Sequence, residues 1–457
     1  MIFFADDAYG TAKHTARGIA LHVLMRCDGM TLDGDGYSNL LVSNAIGRGS
    51  YSDSDRALMT RLVFGVIERK ITLDYIISCL SSRPIEKLDG DVLNILRLGI
   101  YQLRYMDRVP EHAAVNETVE LAKKSGRGFV NAILREYLRK KDTICFPSAG
   151  DDMVRYMSVR YSVSEELCRE YINIYGSEKA EQIFAASMCE PDITLRVNTL
   201  RTTREELREK LAKEGFETEN TPNSPYGIRL KNKHGMPDLS DGLAFVQDEA
   251  SQICTCVLDP KPDMRMIDAC ACPGSKSFSS AMLMEDKGGI LAYDIHPAKL
   301  SLIENGCKRL GLKSVIPLEK DSSEKVPVLY GKFDRVLCDV PCSGYGVLAK
   351  KPELRYKPFC ESMRLPELQY RILEASAELL NEDGVLVYST CTLRMAENED
   401  NICRFLAEHD EFTLSPFSCC GIESDGMLTL TPDMGTDGFF IARIVRKKGT
   451  FVKMPDF

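Results

Sequence analysis

The chain of 457 residues has no tryptophan, only six histidines and no excess of positive charge. No apolar run reaches the length of about 18 residues that a membrane-spanning helix needs, so no membrane partner is expected. Met1–Gly10 carries Asp6 and Asp7 but neither Lys nor Arg, so it lacks the basic start of a secretory leader. Cys254/Cys256, Cys270/Cys272 and Cys419/Cys420 lack the paired C-x-x-C or H-x-x-x-H spacing of zinc sites. With so few histidines, no metal site is expected. No repeat of fixed period and no low-complexity tract is apparent.

What is present is ordinary for a globular protein: 44% hydrophobic and 27% charged residues, in a chain long enough for two to four domains. The 17 cysteines are odd in number and lie in a long chain in which no secretory leader is expected. That argues for reduced thiols in a cytoplasmic protein rather than a disulfide scaffold, with most thiols acting as small buried hydrophobes. The net charge of -9 is unevenly spread. Residues 1–145 hold 20 basic and 18 acidic side chains; the remainder holds 38 and 49. A nucleic-acid partner would therefore be gripped by local patches, not by the field of the whole molecule.

Three textures follow one another along the chain. Residues 11–141 carry apolar stripes at helical spacing, such as Leu58, Leu62 and Val66, then Val92, Ile95, Leu96, Gly99, Ile100 and Leu103. Breakers at Leu32–Tyr37, Arg83-Pro84 and Val109-Pro110 separate them, which predicts an all-α domain over 1–145. It ends in a basic cluster, Arg135, Arg139, Lys140 and Lys141, more simply read as a solvated helix end than as a nucleic-acid contact. Cys145–Gly150 reads as a linker. Residues 151–247 form a small mixed α+β subdomain, helical to about 190, with strands at Ile193–Val197 and Gly227–Lys231. Between these strands Thr202 and Glu205 offer a capping box.

From 248 to 448 apolar strands alternate with helices. Strands are expected at Arg265–Ala269, Gly289–Asp294, Val315–Leu318, Phe333–Asp339, Gly384–Ser389 and Phe439–Val445. Helices are expected at Pro297–Leu310 and Leu365–Leu380. Such alternation implies a mostly parallel, doubly wound α/β sheet, which binds ligands at the carboxyl ends of its strands. Asp268, Asp294, Asp321 and Asp339 each fall at such an end. One of them alone would be an ordinary helix cap; four in succession suggest a ligand rich in hydrogen-bond donors. The turn Cys270, Ala271, Cys272, Pro273, Gly274, Ser275, Lys276 has a single glycine, so it is not the phosphate-cradling G-x-G-x-x-G. A nucleoside cofactor without phosphate fits better, which points to S-adenosylmethionine. Cys342, in Asp-Val-Pro-Cys-Ser-Gly, and Cys391, in Tyr-Ser-Thr-Cys-Thr, fall on strand-end loops of the same edge.

Taken together, Leu195–Asn198, Val246–Ser251, Asp268–Ser277, Asp334–Gly346, Tyr388–Cys391 with Glu397-Asn398-Glu399, and Asp437–Phe440 resemble the RsmB (Fmu/Sun) family of rRNA cytosine-5 methyltransferases. Leu96–Leu103, Val109–Glu117 and Phe129–Ala132 resemble a NusB-type RNA-binding domain. The resemblance implies a NusB-like helical head and a Rossmann-like class I methyltransferase domain. It also implies methyl transfer from S-adenosylmethionine to carbon-5 of a cytosine in small-subunit (16S) rRNA, by a monomer. Cys391 would be the nucleophile and Cys342 would assist its release. Cys270–Lys276 would wrap the methionine part, Asp294 the ribose and Asp321 the adenine. Asp339, with Lys276 near it, would contact both cofactor and base. RNA would be held by the head, the 151–247 subdomain and basic residues such as Lys350, Lys351 and Arg355. The family loop usually reads Cys-Ala-Ala-Pro-Gly-Gly-Lys, so Cys272 and Ser275 depart from it, and Ser275 requires a backbone that tolerates a Cβ. A tRNA or other rRNA substrate, or a non-catalytic antitermination-type RNA-binding factor, are the competing readings.

Overall fold

The structure, a computed structural model, describes residues 15–28, 37–47, 51–231 and 235–449. The expected breaker at 32–36 and the segment Met1–Gly10 lie outside the described residues. The chain divides into two compact units. One comprises Met1–Met188 and Leu348–Glu361; the other comprises Cys189–Val347 and Ser362–Phe457. Among the described residues no helix is long and apolar enough to cross a membrane.

The first unit is all helix: α1 (Ala16–Asp28), α2 (Tyr37–Gly47), α3 (Asp53–Glu68), α4 (Lys70–Leu80), α5 (Gly90–Tyr105), α6 (Glu111–Glu120), α7 (Lys124–Lys140), α8 (Met153–Tyr161), α9 (Glu165–Tyr175) and α10 (Ser177–Ala186). The stripes read from the sequence are its core, with Leu62, Leu96, Ile100 and Leu134 fully buried. Gly65 packs so closely on Tyr101 that a Cβ there would sit 2.0 Å from the ring. Arg97 is buried and forked onto Asp74 at 2.6 and 2.8 Å, so its charge is matched inside the helical core. Residues 145–150 form neither helix nor strand but are not loose. Phe146 packs on Tyr75 at 5.5 Å between ring centroids, and Tyr75 Oη donates to Cys145 O.

The basic cluster closing α7 is a helix end with its charges partly answered. Lys140 pairs with Glu136 at 2.9 Å and Lys141 with Glu111 at 2.8 Å. Leu348–Glu361 carries a correction. Arg355, expected on the RNA surface, is fully buried; it donates to Tyr161 O at 3.0 Å and Ser187 O at 2.6 Å. Tyr356 beside it donates to Ile67 O at 2.6 Å. Its sequence neighbourhood of lysines gave no sign that the guanidinium would be spent on helix carbonyls.

The second unit holds two main sheets. The smaller is antiparallel, in the order β2 (Thr218–Asn220), β3 (Gly227–Leu230), β1 (Ile193–Val197), β4 (Ala244–Val246), with α11 (Arg204–Lys213) packed on it. The capping box of α11 is Thr203 with Glu206, one residue later than expected. Both residues are doubled in the sequence, and Thr202 N is already engaged by Asn198 O in the preceding turn.

The larger sheet has eight strands. They are β5 (Arg265–Asp268), β6 (Gly289–Asp294), β7 (Val315–Glu319), β8 (Phe333–Asp339), β9 (Leu380–Thr390), β10 (Phe412–Leu414), β13 (Met427–Leu430) and β14 (Phe439–Arg446). A separate hairpin supplies β11 (Phe417–Cys419) and β12 (Ile422–Ser424). The order is β10-β14-β9-β8-β5-β6-β7, with β13 added to β14. The run β9-β8-β5-β6-β7 is parallel, and β14 joins it antiparallel. Strand β9 begins four residues before the expected start at Gly384, because a register shift between Phe333 and Arg335 of β8 accommodates polar Asn381–Asp383. Ile267, Val336 and Leu386 are fully buried at the centre of the sheet, as the continuous apolar runs required.

Candidate functional site

Chain order and sheet order diverge at β5. Its neighbours are β6 on one side and β8 on the other, so the crevice at its carboxyl end is the switch point where such sheets bind ligands. The strand order lines up four carboxylates along this edge: Asp339 ending β8, Asp268 ending β5, Asp294 ending β6, and Asp321 just past β7. Four adjacent acceptors fit a cation that also presents amine and hydroxyl donors, which is the donor set of S-adenosylmethionine. A phosphate-bearing dinucleotide would meet repulsion there.

Each carboxylate is held differently. Asp268 is fully buried, and burial pushes its carboxyl up to about 7 although Ser277 Oγ donates to it at 2.6 Å. Asp294 Oδ1 accepts from His296 N at 2.8 Å. Asp321 Oδ1 accepts from Ser323 Oγ and N at 2.7 and 2.9 Å, which holds it below the usual carboxylate range. Asp339 is bracketed: Lys276 Nζ donates to Oδ2 at 2.6 Å and Ser389 Oγ to Oδ1 at 2.8 Å. Burial opposes the charge of Lys276, yet Asp339 keeps the ammonium above its ordinary value. The Lys276 ammonium also stands 5.1 Å from the centre of the Phe439 ring.

The turn from β5 into α12 (Ser275–Leu283) contains the whole predicted loop. Ala271 N donates to Tyr293 O at 2.8 Å, which anchors the loop to β6. Cys272-Pro273 is a cis peptide, and Gly274 has φ +108°, a conformation that favours glycine. Ser275 opens the helix outside the left-handed region, so its Cβ is tolerated. Burial raises both loop thiols, Cys270 well above its ordinary value and Cys272 to about 12, which keeps them protonated.

Cys342 and Cys391 lie 49 residues apart in sequence and meet at 3.1 Å between sulfurs. The hydrogen bond to Cys391, then burial, pushes the Cys342 thiol well above its usual value. At this distance the two sulfurs can share one proton, and either can be its donor. The buried Lys276 ammonium is close enough to Cys391 to feel its charge.

Sequence reasoning assigned no role to the frame around these thiols. Glu397 is fully buried; its Oε2 accepts from Ser343 N and Gln369 Nε2, each at 2.9 Å. Gln369 Nε2 also donates to Pro341 O at 2.8 Å. Asn398 accepts from Thr390 Oγ1 at 2.6 Å and donates to Thr392 O at 3.0 Å. Ser343 Oγ and Thr392 Oγ1 meet at 2.8 Å. Thus one adjacent pair, Glu397-Asn398, braces both thiol loops. Gly346 N donates to Cys391 O at 2.9 Å, and a Cβ on Gly346 would lie 2.1 Å from Gly438 O. The available signal was a buried-type glutamate and asparagine following Cys391 by six and seven residues.

A parallel sheet reversed at one edge, with carboxylates at its switch point, defines a Rossmann-like methyltransferase dependent on S-adenosylmethionine. Among the described residues no group of side chains is arranged to hold a metal. Family models match three successive regions: the NusB family at 14–139, the ferredoxin-like domain of RsmF/B-like methyltransferases at 165–236, and the 16S rRNA methyltransferase RsmB/F at 255–445. A probable ribosomal RNA small subunit methyltransferase B from Bacillus subtilis is 38% identical over 96% of this chain and all of its own. The chain belongs to the RsmB/F methyltransferase family. Among solved structures, PH0851 superposes with a TM-score of 0.76 at 25% identity, covering 94% of this chain and 99% of that one. NSun6 from Pyrococcus horikoshii, solved with SFG, gives a TM-score of 0.55 at 25% identity, covering 62% and 98%.

Proposed function

We propose that the protein methylates carbon-5 of a cytosine in small-subunit rRNA, with Cys391 as a covalent nucleophile and Cys342 as its release partner. The observation that carries this reading is the pair of thiols 3.1 Å apart beside the Lys276–Asp339 ion pair. Carbon-5 of cytosine is a weak nucleophile, and a sulfur adding to carbon-6 makes it enamine-like. S-adenosylmethionine bound at the carboxylate edge supplies an electrophilic methyl group.

The residues of this chain do the rest. Lys276 and the Cys342 S–H stabilise negative charge on Cys391, so its thiolate can attack carbon-6 of a base taken out of its stack. Asp339, held by Lys276 and Ser389, faces the ring as a fixed acceptor for its amino group. After carbon-5 has gained the methyl, a water molecule takes the carbon-5 proton, and the electron pair left behind restores the carbon-5–carbon-6 double bond as the bond from Cys391 to carbon-6 breaks. Cys342 returns a hydrogen bond to the departing thiolate. Cys270–Lys276, Asp294 and Asp321 hold the cofactor. The substrate named for the Bacillus subtilis relative supports small-subunit rRNA.

The test is methyl transfer to unmodified small-subunit rRNA, with bisulfite mapping of the product. Cys391→Ala is expected to lower the rate by about 10⁴-fold or more. Cys342→Ala is expected to accumulate a protein–RNA adduct that survives denaturing gels. Full activity in the first variant, or equal and negligible adduct in the second and in wild type, would overturn the respective role.

A further inference from the structure

The helical unit contains a cavity of about 400 Å³ remote in sequence from the thiol loops, walled by α4, α5, α8 and the 145–150 segment. Three arginines, Arg69, Arg104 and Arg160, line it, and no carboxylate does so among the described residues. Its walls are aromatic. The Arg104 guanidinium stands 5.6 Å from the Tyr105 ring centre and 5.0 Å from that of Phe146. Arg160 stands 5.7 Å from Tyr156 and 5.6 Å from Tyr161. Arg69 stands 5.2 Å from the Tyr105 ring centre and pairs with Glu68 at 3.3 Å.

The other two cations are answered unlike those at the end of α7. Arg104 and Arg160 have no carboxylate within ion-pair distance among the described residues; their Nε atoms donate to the phenols of Tyr105 and Tyr161 at 3.2 Å. Both phenols at the second wall, Tyr156 and Tyr161, donate to Glu181 at 2.8 Å, which fixes the rings; Glu181 is not a lining residue but lies near enough to Arg160 to favour its charge. Flat π-faces stack any nucleobase, and guanidinium groups beside them match a phosphodiester. The volume falls in the range of small-ligand sites, roughly 300–1,000 Å³.

We propose that this cavity receives a single-stranded nucleotide of the RNA substrate, its base between the aromatic walls and its phosphate on Arg104 and Arg160. The proposal rests on the reading that the protein acts on RNA, but not on the thiol chemistry. A free mononucleotide shares the same recognition chemistry, so the test must separate the two sources.

The experiment measures binding of the full-length protein to a small-subunit rRNA fragment by fluorescence anisotropy over a range of salt. Arg104→Gln/Arg160→Gln is expected to weaken binding about tenfold and to lower the slope of log K against log salt by one to two. S-adenosylmethionine binding and the far-UV spectrum should not change. Arg160→Lys should restore the salt slope more than the affinity, because it keeps charge and loses stacking. 4-Thiouridine in the RNA should crosslink to Tyr105, Phe146 or Tyr156. Unchanged affinity and slope in a folded double variant, with wild type binding normally, overturns the proposal alone. Saturable CMP binding lost in that variant while RNA affinity stays intact assigns the cavity to a free nucleotide and also overturns it. Wild-type protein that binds no RNA overturns the functional reading as well.

Discussion

The carboxyl edge of the large sheet and the cavity of the helical unit handle charge in opposite ways. At the sheet edge four carboxylates gather, and the one buried cation, Lys276, is tied to one of them at 2.6 Å. In the helical cavity three guanidinium groups gather beside aromatic rings, and no carboxylate is among the described lining residues. The first arrangement suits a cationic, donor-rich cofactor; the second suits a flat base on an anionic strand. An acidic protein can therefore serve an anionic substrate, because the net charge of -9 is a sum over patches of opposite purpose.

Three further substitutions test that contrast from the sheet side. The largest effect should follow Lys276→Met, which leaves Asp339 with no cation in a mostly buried place. It should cost about 3 kcal/mol of stability by urea unfolding and weaken cofactor binding by calorimetry, with RNA affinity unchanged. Equal loss of RNA affinity would break the division of labour between the two regions. Glu397→Ala should come next, at about 2 kcal/mol, because Ser343 N and the Gln369 amide lose a charged acceptor. Its particular signature is a fall in kcat with little change in cofactor affinity, since the two thiol loops lose their shared brace.

The smallest effect concerns pH. Burial raises the Asp268 carboxyl to about 7, so the folded protein keeps a proton that the unfolded chain releases near 4. Folding is therefore favoured at low pH, and stability from this group declines as pH rises from about 4 through 7. Asp268→Asn should flatten the fall in Tm between pH 5 and 8. A Tm profile with unaltered slope would show that the carboxyl is ionised in the fold.

Much of this frame was legible as periodicity. The helix at Pro297–Leu310 and the strands at Gly289–Asp294 and Phe333–Asp339 match to the residue, since the strands are mostly apolar runs closed by Asp and the helix starts at Pro and is followed by Gly311. Boundaries slipped where the sequence offers two registers, as at Thr202-Thr203, or where a bulge lets polar residues remain in β9. Arg355 was misjudged because exposure is not written in residue type. A guanidinium is as able to bind helix carbonyls as phosphates, and only the packing of Leu348–Glu361 against helices far away in sequence decided it. The cavity was invisible for the same reason: its arginines and rings come from segments as distant as Arg69 and Arg160.

The sequence by itself determined the element types, the strand-end position of each aspartate and the two loops that carry Cys342 and Cys391. Those follow from local hydrophobic period and from breakers, which act over a few residues. Only the tertiary structure decided that the two sulfurs meet, which carboxylate receives Lys276, and which arginines line one cavity. Those are matters of distance between residues 49, 63 and 91 positions apart, set when strands pair and helices pack. Charge and burial act through space, so their outcome appears only when the chain is folded.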